Sequence, residues 1–556
     1  MPTIVAALLA VLTLAASSVD AASPAVACLR TSGAVGVRCL DQYAAVMRAC
    51  RSKGDAACEA AARAPGGKLE TILARTADAA DGCTDAAADT LGYVGGVDDV
   101  VRRTRESCGD FGEDVTAVAF ASGSAAGAFP SCQREVASRL ERLRDATTRL
   151  YGEVCYLDGF RGAGCDTARR DRRIGEAQAS VRRRITRRCG SQFAALGLGT
   201  LDEVVERVTT RARHYAQRVY PPNDLGATAD FGPYPVGITT LALSDPSRQN
   251  TAGTGPRPVL TEIYYPSTAA AVAGVPRDVA EVLGIPVVET PAYRDVALAA
   301  GTYPMVVFSH GNGGLRIQSF FFAAHLASHG YIVVSPDHHG NTFVDGLAGI
   351  VDPNVATNRP LDMSFLIDEF LDFNAEPGNF FQGSIDPDRI GASGHSFGGF
   401  TAFELAGGPE VDTRVKSIMP QAPAAPFTPE FFAGIHIPVL IVGGSIDATT
   451  PFESQQQRPF DLLPSGASVV ALADLHEAGH FTFSDFCEVD RDLLGFLGGF
   501  SEACEPRHIP WRHAHDIVNY LGLNFFDATL KGDADALARL APAVVGTIEN
   551  IDYQSK

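Results

Sequence analysis

The sequence predicts an α/β domain with a mostly parallel, doubly wound sheet, preceded by an all-α, disulfide-rich module with an internal repeat. Three observations carry this reading. Ten of the 12 cysteines lie within the first 222 residues, in Ala- and Arg-rich helical patterning. Beyond that point the texture changes to short apolar runs alternating with helices and turns, as in a sheet covered on both faces. One of those runs, Arg389 to Phe400 (RIGASGHSFGGF), passes through G-x-S-x-G into an apolar segment able to continue as a helix.

A chain of 556 residues is too long for one ordinary domain. We divide it into a leader over 1–22, a helical module over 23–222 and an α/β domain over 223–556. Met1 to Ala22 is apolar from Ile4 to Ala16 and then small and polar, which resembles a secretory signal without a basic start. Its apolar run is too short to span a bilayer. Twelve cysteines suit an oxidised compartment, secreted or periplasmic. Ala25-Val26-Ala27-Cys28 has a faint lipobox pattern, but lipidation would leave an odd thiol, so Cys28 is read as bonded. The net charge of −19 argues against nucleic acid as the main partner. It is unevenly placed: residues 23–222 carry 30 Lys+Arg against 25 Asp+Glu, and residues 223–556 carry 16 against 39.

In the helical module LGYVGGVDDVVRRT (Leu91–Thr104) recurs as LGLGTLDEVVERVT (Leu196–Thr209). Cys28, Cys50, Cys58 and Cys83 recur with it as Cys132, Cys155, Cys165 and Cys189. Each copy reads as two helical segments folded back at a cysteine-flanked break. Disulfides join Cα atoms within about 7 Å, so only matching ends can pair. That gives Cys28–Cys83 with Cys50–Cys58, Cys132–Cys189 with Cys155–Cys165, and Cys39–Cys108 from the remaining two. Val136, Leu140, Leu143, Thr147, Leu150 and Val154 share one helix face, and Ile174, Ala177, Val181 and Ile185 another. Nine arginines between Arg169 and Arg188 read as a solvated face, or as a surface docking on an acidic body (the chain's own second domain included) or an anionic one.

Tyr220-Pro221-Pro222-Asn223-Asp224 is the linker. Strands are expected at Leu260–Tyr265, Met305–Phe308, Tyr331–Ser335, the elbow, Pro438–Gly443 and Ser468–Leu472. Helices are expected at Phe320–His329, Leu361–Asn374, Trp511–Lys531 and Asp535–Leu540. Cys487 and Cys504, outside the module, are expected to pair and to steady the loop after His480.

A serine on a tight strand-to-helix turn needs flanking glycines, a base, and an acid to orient that base. Ser396 supplies the nucleophile. After the elbow the expected order is acid and then histidine. Asp447 follows PVLIVG and His480 follows the next strand, both in loops at strand ends. Asp474 and Asp485 compete for the acid role and His476 for the base. The oxyanion donors are expected at the amides of Phe397 and Asn312, the latter in Gly311-Asn312-Gly313-Gly314. His476-Glu477-Ala478-Gly479-His480 also matches H-E-x-x-H, but that zinc motif works on a helix, and here it follows a strand and contains glycine. No metal or other cofactor is expected. Phe320, Phe321, Phe397, Phe481 and Phe483 are ordinary core or the wall of an apolar acyl site, with Phe320 and Phe481 chosen as substrate-binding.

FSHGNGG, GHSFGG, IDATTP and AGHFTFSDFC, with NRPLDMSFLIDEF and TPAYRDVALAAGTYPMVVFSHG, resemble the dienelactone-hydrolase and platelet-activating-factor-acetylhydrolase branch of the α/β-hydrolases. The resemblance covers roughly Phe231 to Gly532. It implies an α/β-hydrolase catalytic domain and a metal-independent serine esterase acting on carboxylic esters or lipids through Ser396, Asp447 and His480. Dienelactone hydrolases use cysteine, so Ser396 departs from that substrate, and the front module lies outside the resemblance. A serine peptidase, or a non-catalytic binding protein on the same scaffold, are the alternatives.

Overall fold

The computed structural model describes residues 24–91, 96–112, 114–119, 129–152, 166–219, 228–229, 231–487, 503, 508–509, 511–546, 548 and 550–556. The leader, the linker, and Cys155, Cys165 and Cys504 lie outside the described residues. The chain divides into two compact units, Met1–Gly226 and Ala227–Lys556.

The first unit is helical. Its opening helix Pro24–Arg51 is followed by short pieces, Ala56–Arg63, Lys68–Ala74 and a 3₁₀ turn at Arg75–Ala80. Sequence reading expected one long second segment here. Pro65-Gly66-Gly67 breaks it, because proline lacks a backbone donor and Gly66 sits at φ 74°. Pro130–Arg149 and Thr167–Cys189 are, by contrast, two unbroken helices, the second capped by the Asp166 carboxylate. Leu140, Leu143, Val181 and Ile185 are buried in one cluster between them. Disulfides join Cys28–Cys83, Cys39–Cys108, Cys50–Cys58 and Cys132–Cys189. Within the arginine run, Arg182 pairs with Asp202 and Glu206 of the same unit.

The second unit is built on a ten-stranded sheet. Its strands are β1 (Val236–Gln249), β2 (Pro256–Pro266), β5 (Ala292–Arg294), β6 (Tyr303–Ser309), β7 (Ile332–Pro336), β8 (Ile385–His395), β9 (Val415–Gln421), β10 (Val439–Gly444), β11 (Val470–Leu475) and β12 (Ile551–Ser555). Across the sheet they run β12-β11-β10-β9-β8-β6-β7-β2-β1-β5. From β11 to β7 every pairing is parallel, while β12, β2 and β1 add antiparallel neighbours toward the edges. A separate hairpin, β3 (Val279–Val282) and β4 (Ile285–Glu289), stands apart from this sheet.

The central strands are apolar throughout because both faces are covered: every residue of β6, β7 and β10 is buried. Burying each such Val, Ile or Leu side chain contributes about 1.5–3 kcal/mol. The helix expected over Leu361–Asn374 begins earlier, at Val355, runs to Ala375 and holds Pro360 inside. The parallel strands bring the C-terminal ends of β6, β8, β10 and β11 to one rim, where such sheets place their sites.

Candidate active site

At that rim β8 delivers Ser396, and the helix Phe397–Gly407 starts at the next residue. Ser396 sits at φ 60°, ψ −115°, a strained backbone for a residue with a Cβ. The Ser396 N–H donates to the Gln421 carbonyl at 2.9 Å, and the Ala424 N–H to the Ser396 carbonyl at 3.0 Å. The turn is therefore tied to the end of β9. Its glycines are sterically required: a Cβ on Gly394 would stand 2.5 Å from the carbonyl oxygens of Gly398 and Ser309, and one on Gly398 would overlap the Ser309 carbonyl. Gly398→Ala is accordingly expected to destabilise the second unit by about 2–4 kcal/mol, since backbone rather than a flexible side chain must move. Thermal unfolding at neutral pH measures it, and a shift of under 1 °C would contradict the overlap.

His480 Nε2 lies 2.9 Å from Ser396 Oγ, and its Nδ1 lies 2.8 Å from Asp447 Oδ2. The three residues are 8%, 2% and 5% exposed for Ser396, His480 and Asp447. Asp447 is fixed from the other side by the amides of Thr449 at 2.9 Å and Thr450 at 2.7 Å. The Thr450 hydroxyl donates to Asp447 Oδ2 at 2.8 Å and stands 3.1 Å from His480 Nδ1. Threonine in IDATTP carried no signal of this in the sequence beyond its position three residues after the acid.

The rival groups lie elsewhere. His476 is 44% exposed and pairs with Asp552 of β12 at 3.1 Å. Asp474 is within β11, its carboxyl pushed up to about 6 mainly by burial. Asp485 accepts the Phe321 N–H at 3.0 Å. The H-E-x-x-H stretch does not form an α-helix: it begins just after β11, passes Glu477 at φ 60°, and ends where a 3₁₀ turn starts at His480. Among the described residues no group of three or more His, Cys, Asp or Glu is placed to hold a metal.

Asn312 lies in the loop after β6, and Phe397 opens the elbow helix; among the described residues neither backbone N–H has a protein acceptor. A buried bridge that the sequence did not suggest ties this loop to His480. The Gly311 N–H donates to Gln318 Oε1 at 2.9 Å, Gln318 Nε2 donates to His395 Nδ1 at 2.6 Å, and His395 Nε2 donates to the His480 carbonyl at 2.8 Å. This order fixes His395 as neutral with its proton on Nε2, and burial, with the neighbouring His480, holds its pKa well below the usual histidine range. Phe481 packs its ring 5.2 Å from His480. Phe320 is buried at the start of the helix Phe320–Ser328, with no ring partner among the described residues.

The family model described as platelet-activating factor acetylhydrolase, isoform II, matches residues 260–345, which hold β2, β6, the Asn312 loop and β7. A bis(hydroxyethyl) terephthalate hydrolase of Streptomyces coelicolor is 25% identical over 194 residues, 34% of this chain and 54% of that protein. The chain thus spans about half the length of this curated relative. A ferulic acid esterase structure from Streptomyces cinnamoneus aligns with a TM-score of 0.44 and 24% identity, covering 58% of this chain and 97% of that one. The family match over 260–345 and this relative support the resemblance of the second unit to esterases of the platelet-activating-factor-acetylhydrolase and dienelactone-hydrolase branch of the α/β-hydrolases.

Proposed function

We propose that this protein is an exported serine hydrolase of carboxylic esters. The observation that carries it is the relay of 2.9 Å and 2.8 Å from Ser396 through His480 to Asp447, beside a loop and a helix start whose Asn312 and Phe397 amides have no protein acceptor among the described residues. Ser396 Oγ attacks the ester carbonyl while His480 Nε2 takes its proton, and Asp447 holds the imidazole and stabilises its charge. The carbonyl oxygen becomes an oxyanion held by the amides of Asn312 and Phe397. His480 returns the proton to the leaving alcohol, an acyl-enzyme forms on Ser396, and water activated by the same histidine releases it. Phe481 beside the base favours an apolar or aromatic acyl group. The terephthalate diester named for the relative is one such substrate class, and lipid esters are another.

Export is supported by the four disulfides of the first unit. Among the described residues no helix is long and apolar enough to cross a membrane. We further read the first unit as two copies of one disulfide-closed motif, on the parallel positions of Cys28–Cys83 and Cys132–Cys189.

A fluorophosphonate probe is expected to label Ser396, and p-nitrophenyl esters of graded acyl length to be cleaved in the presence of EDTA. Loss of activity in EDTA, or cleavage of a peptide panel in preference to the esters, would reject this reading.

A further inference from the structure

Between the Asn312 loop and the elbow helix a guanidinium is hydrogen-bonded to both, in surroundings unusual for a buried charge. Arg359, on the helix Val355–Ala375, is fully buried. Its Nε donates to Thr401 Oγ1 at 3.2 Å, its Nη1 to Asn341 Oδ1 at 2.5 Å, and its Nη2 to Ser309 Oγ at 3.0 Å and to the His310 carbonyl. None of these acceptors is a carboxylate. Asp362, one turn further along the same helix, is taken by Arg257 and Arg248, each at 2.7 Å, and by His338 at 2.9 Å. Burial is the main force acting against the Arg359 charge and pulls its pKa down to about 9. A buried cation satisfied by neutral oxygens is costly for stability alone, which directs attention to what those oxygens belong to.

They belong to the two arms of the oxyanion site. On one arm Arg359 holds the His310 carbonyl, two residues before Asn312. It also holds Asn341, whose amide donates to Asn312 Oδ1 at 2.8 Å. On the other arm Thr401 accepts from Arg359 and donates its own proton to the Phe397 carbonyl at 2.9 Å. The guanidinium carbon also stands 4.7 Å from the centroid of the Phe397 ring. Every remaining proton has one direction: Ser309 accepts from Arg359 and donates to His338 Nε2 at 2.9 Å, while His338 Nδ1 donates to Asp362. The fork therefore has a separate hold on each arm, and its planar, rigid geometry fixes the distance between them.

We propose that Arg359 is a positioning residue for ester hydrolysis, a buried fork that sets the spacing of the Asn312 and Phe397 amides around the oxyanion. The proposal rests on the reading of Ser396 and these amides given above. Arg359 touches neither the nucleophile nor the base, so its effect falls on the transition state and not on substrate binding. Lysine cannot replace it, because one ammonium cannot reach acceptors on both arms in a fixed plane.

The test uses the full chain with p-nitrophenyl butyrate, counting active sites by end-point fluorophosphonate titration. Arg359→Gln is expected to lower kcat per titrated serine about 100-fold with KM changed less than about threefold. Phenylboronic acid, whose tetrahedral adduct fills the oxyanion site, should bind correspondingly more weakly. A merely structural arginine would lower the melting temperature and the titrated fraction, but leave kcat per titrated serine and boronate binding at parent values. That result overturns the proposal. Should Arg359→Gln not fold, Arg359→Lys and Asn341→Ala read the same quantities. Each is expected to lower kcat per titrated serine about tenfold, and parent-like values in both overturn the proposal equally. Ser396→Ala separates the two readings: if it keeps activity the site itself is misassigned, whereas if it is inactive while the Arg359 variants match the parent, only the positioning role fails.

Discussion

Ser396→Ala is expected to lower ester hydrolysis on the order of 10⁵-fold while leaving the melting temperature within about 2 °C of the parent. The substitution removes only Oγ. The backbone holds that fix the turn, from Ser396 N–H to Gln421 and from Ala424 N–H to Ser396, stay in place. His480→Ala should be almost as severe, since the proton then has no acceptor within reach of Oγ. His476→Ala should change activity less than about twofold, because that ring is at the sheet edge against Asp552. Steady-state assays on the three variants decide the matter: a His476→Ala enzyme as inactive as Ser396→Ala would assign the base to the wrong histidine.

The second large effect is acid lability of the catalytic unit. Burial holds the pKa of His310, His325 and His395 well below the usual value, that of His338 down to about 3 and that of His329 to about 4. In the unfolded chain these rings titrate near pH 6.5. Below that pH the unfolded state binds protons that the folded state refuses, so stability is full above about pH 6.5 and is lost as the pH falls. Asp474, raised to about 6, and Asp337, Glu369 and Glu404, also raised, act in the opposite sense, but their ordinary values lie near 4, so the histidines lead as the pH first falls below 6.5. The net effect is a loss of stability as the pH falls below about 6.5, drawn from a total of only about 5–15 kcal/mol for an ordinary domain. Trp511 is the single tryptophan of the chain and lies in this unit, so its fluorescence on heating reports the catalytic unit alone. A melting temperature unchanged from pH 7.5 to 5 would refute the argument.

What was legible in the sequence follows from which residues advertise their environment. Met305–Phe308 and Val439–Val442 are buried on both faces and so are continuous apolar runs, and the elbow glycines mark a contact that no Cβ can enter. β9 was missed because VKSIMPQ carries Lys416 and Pro420, and β1 because TTLALSDPSRQ mixes polar residues, proline and aspartate near the sheet edge. The relative placement of Ser396, Asp447 and His480 is given by strand order, which motifs can report. Arg359, Asp362 and His338 were invisible for the opposite reason. In a sequence a charged side chain suggests the surface, and only the fold reveals that these three are buried and held by one another's neighbours.

The disulfides of the first unit have a consequence for how damage to it would be noticed. Pro65 and Gly66 are exposed at the break between two short helices, an open target for a protease. A cut there leaves Cys28 and Cys39 on one fragment, and their partners Cys83 and Cys108 on the other. The two pieces stay threaded together as one covalent object with unchanged mass apart from a water molecule. Such a molecule would run as intact on a gel until a reductant separates its halves, so an ageing preparation can carry nicked chains that purification by size never removes.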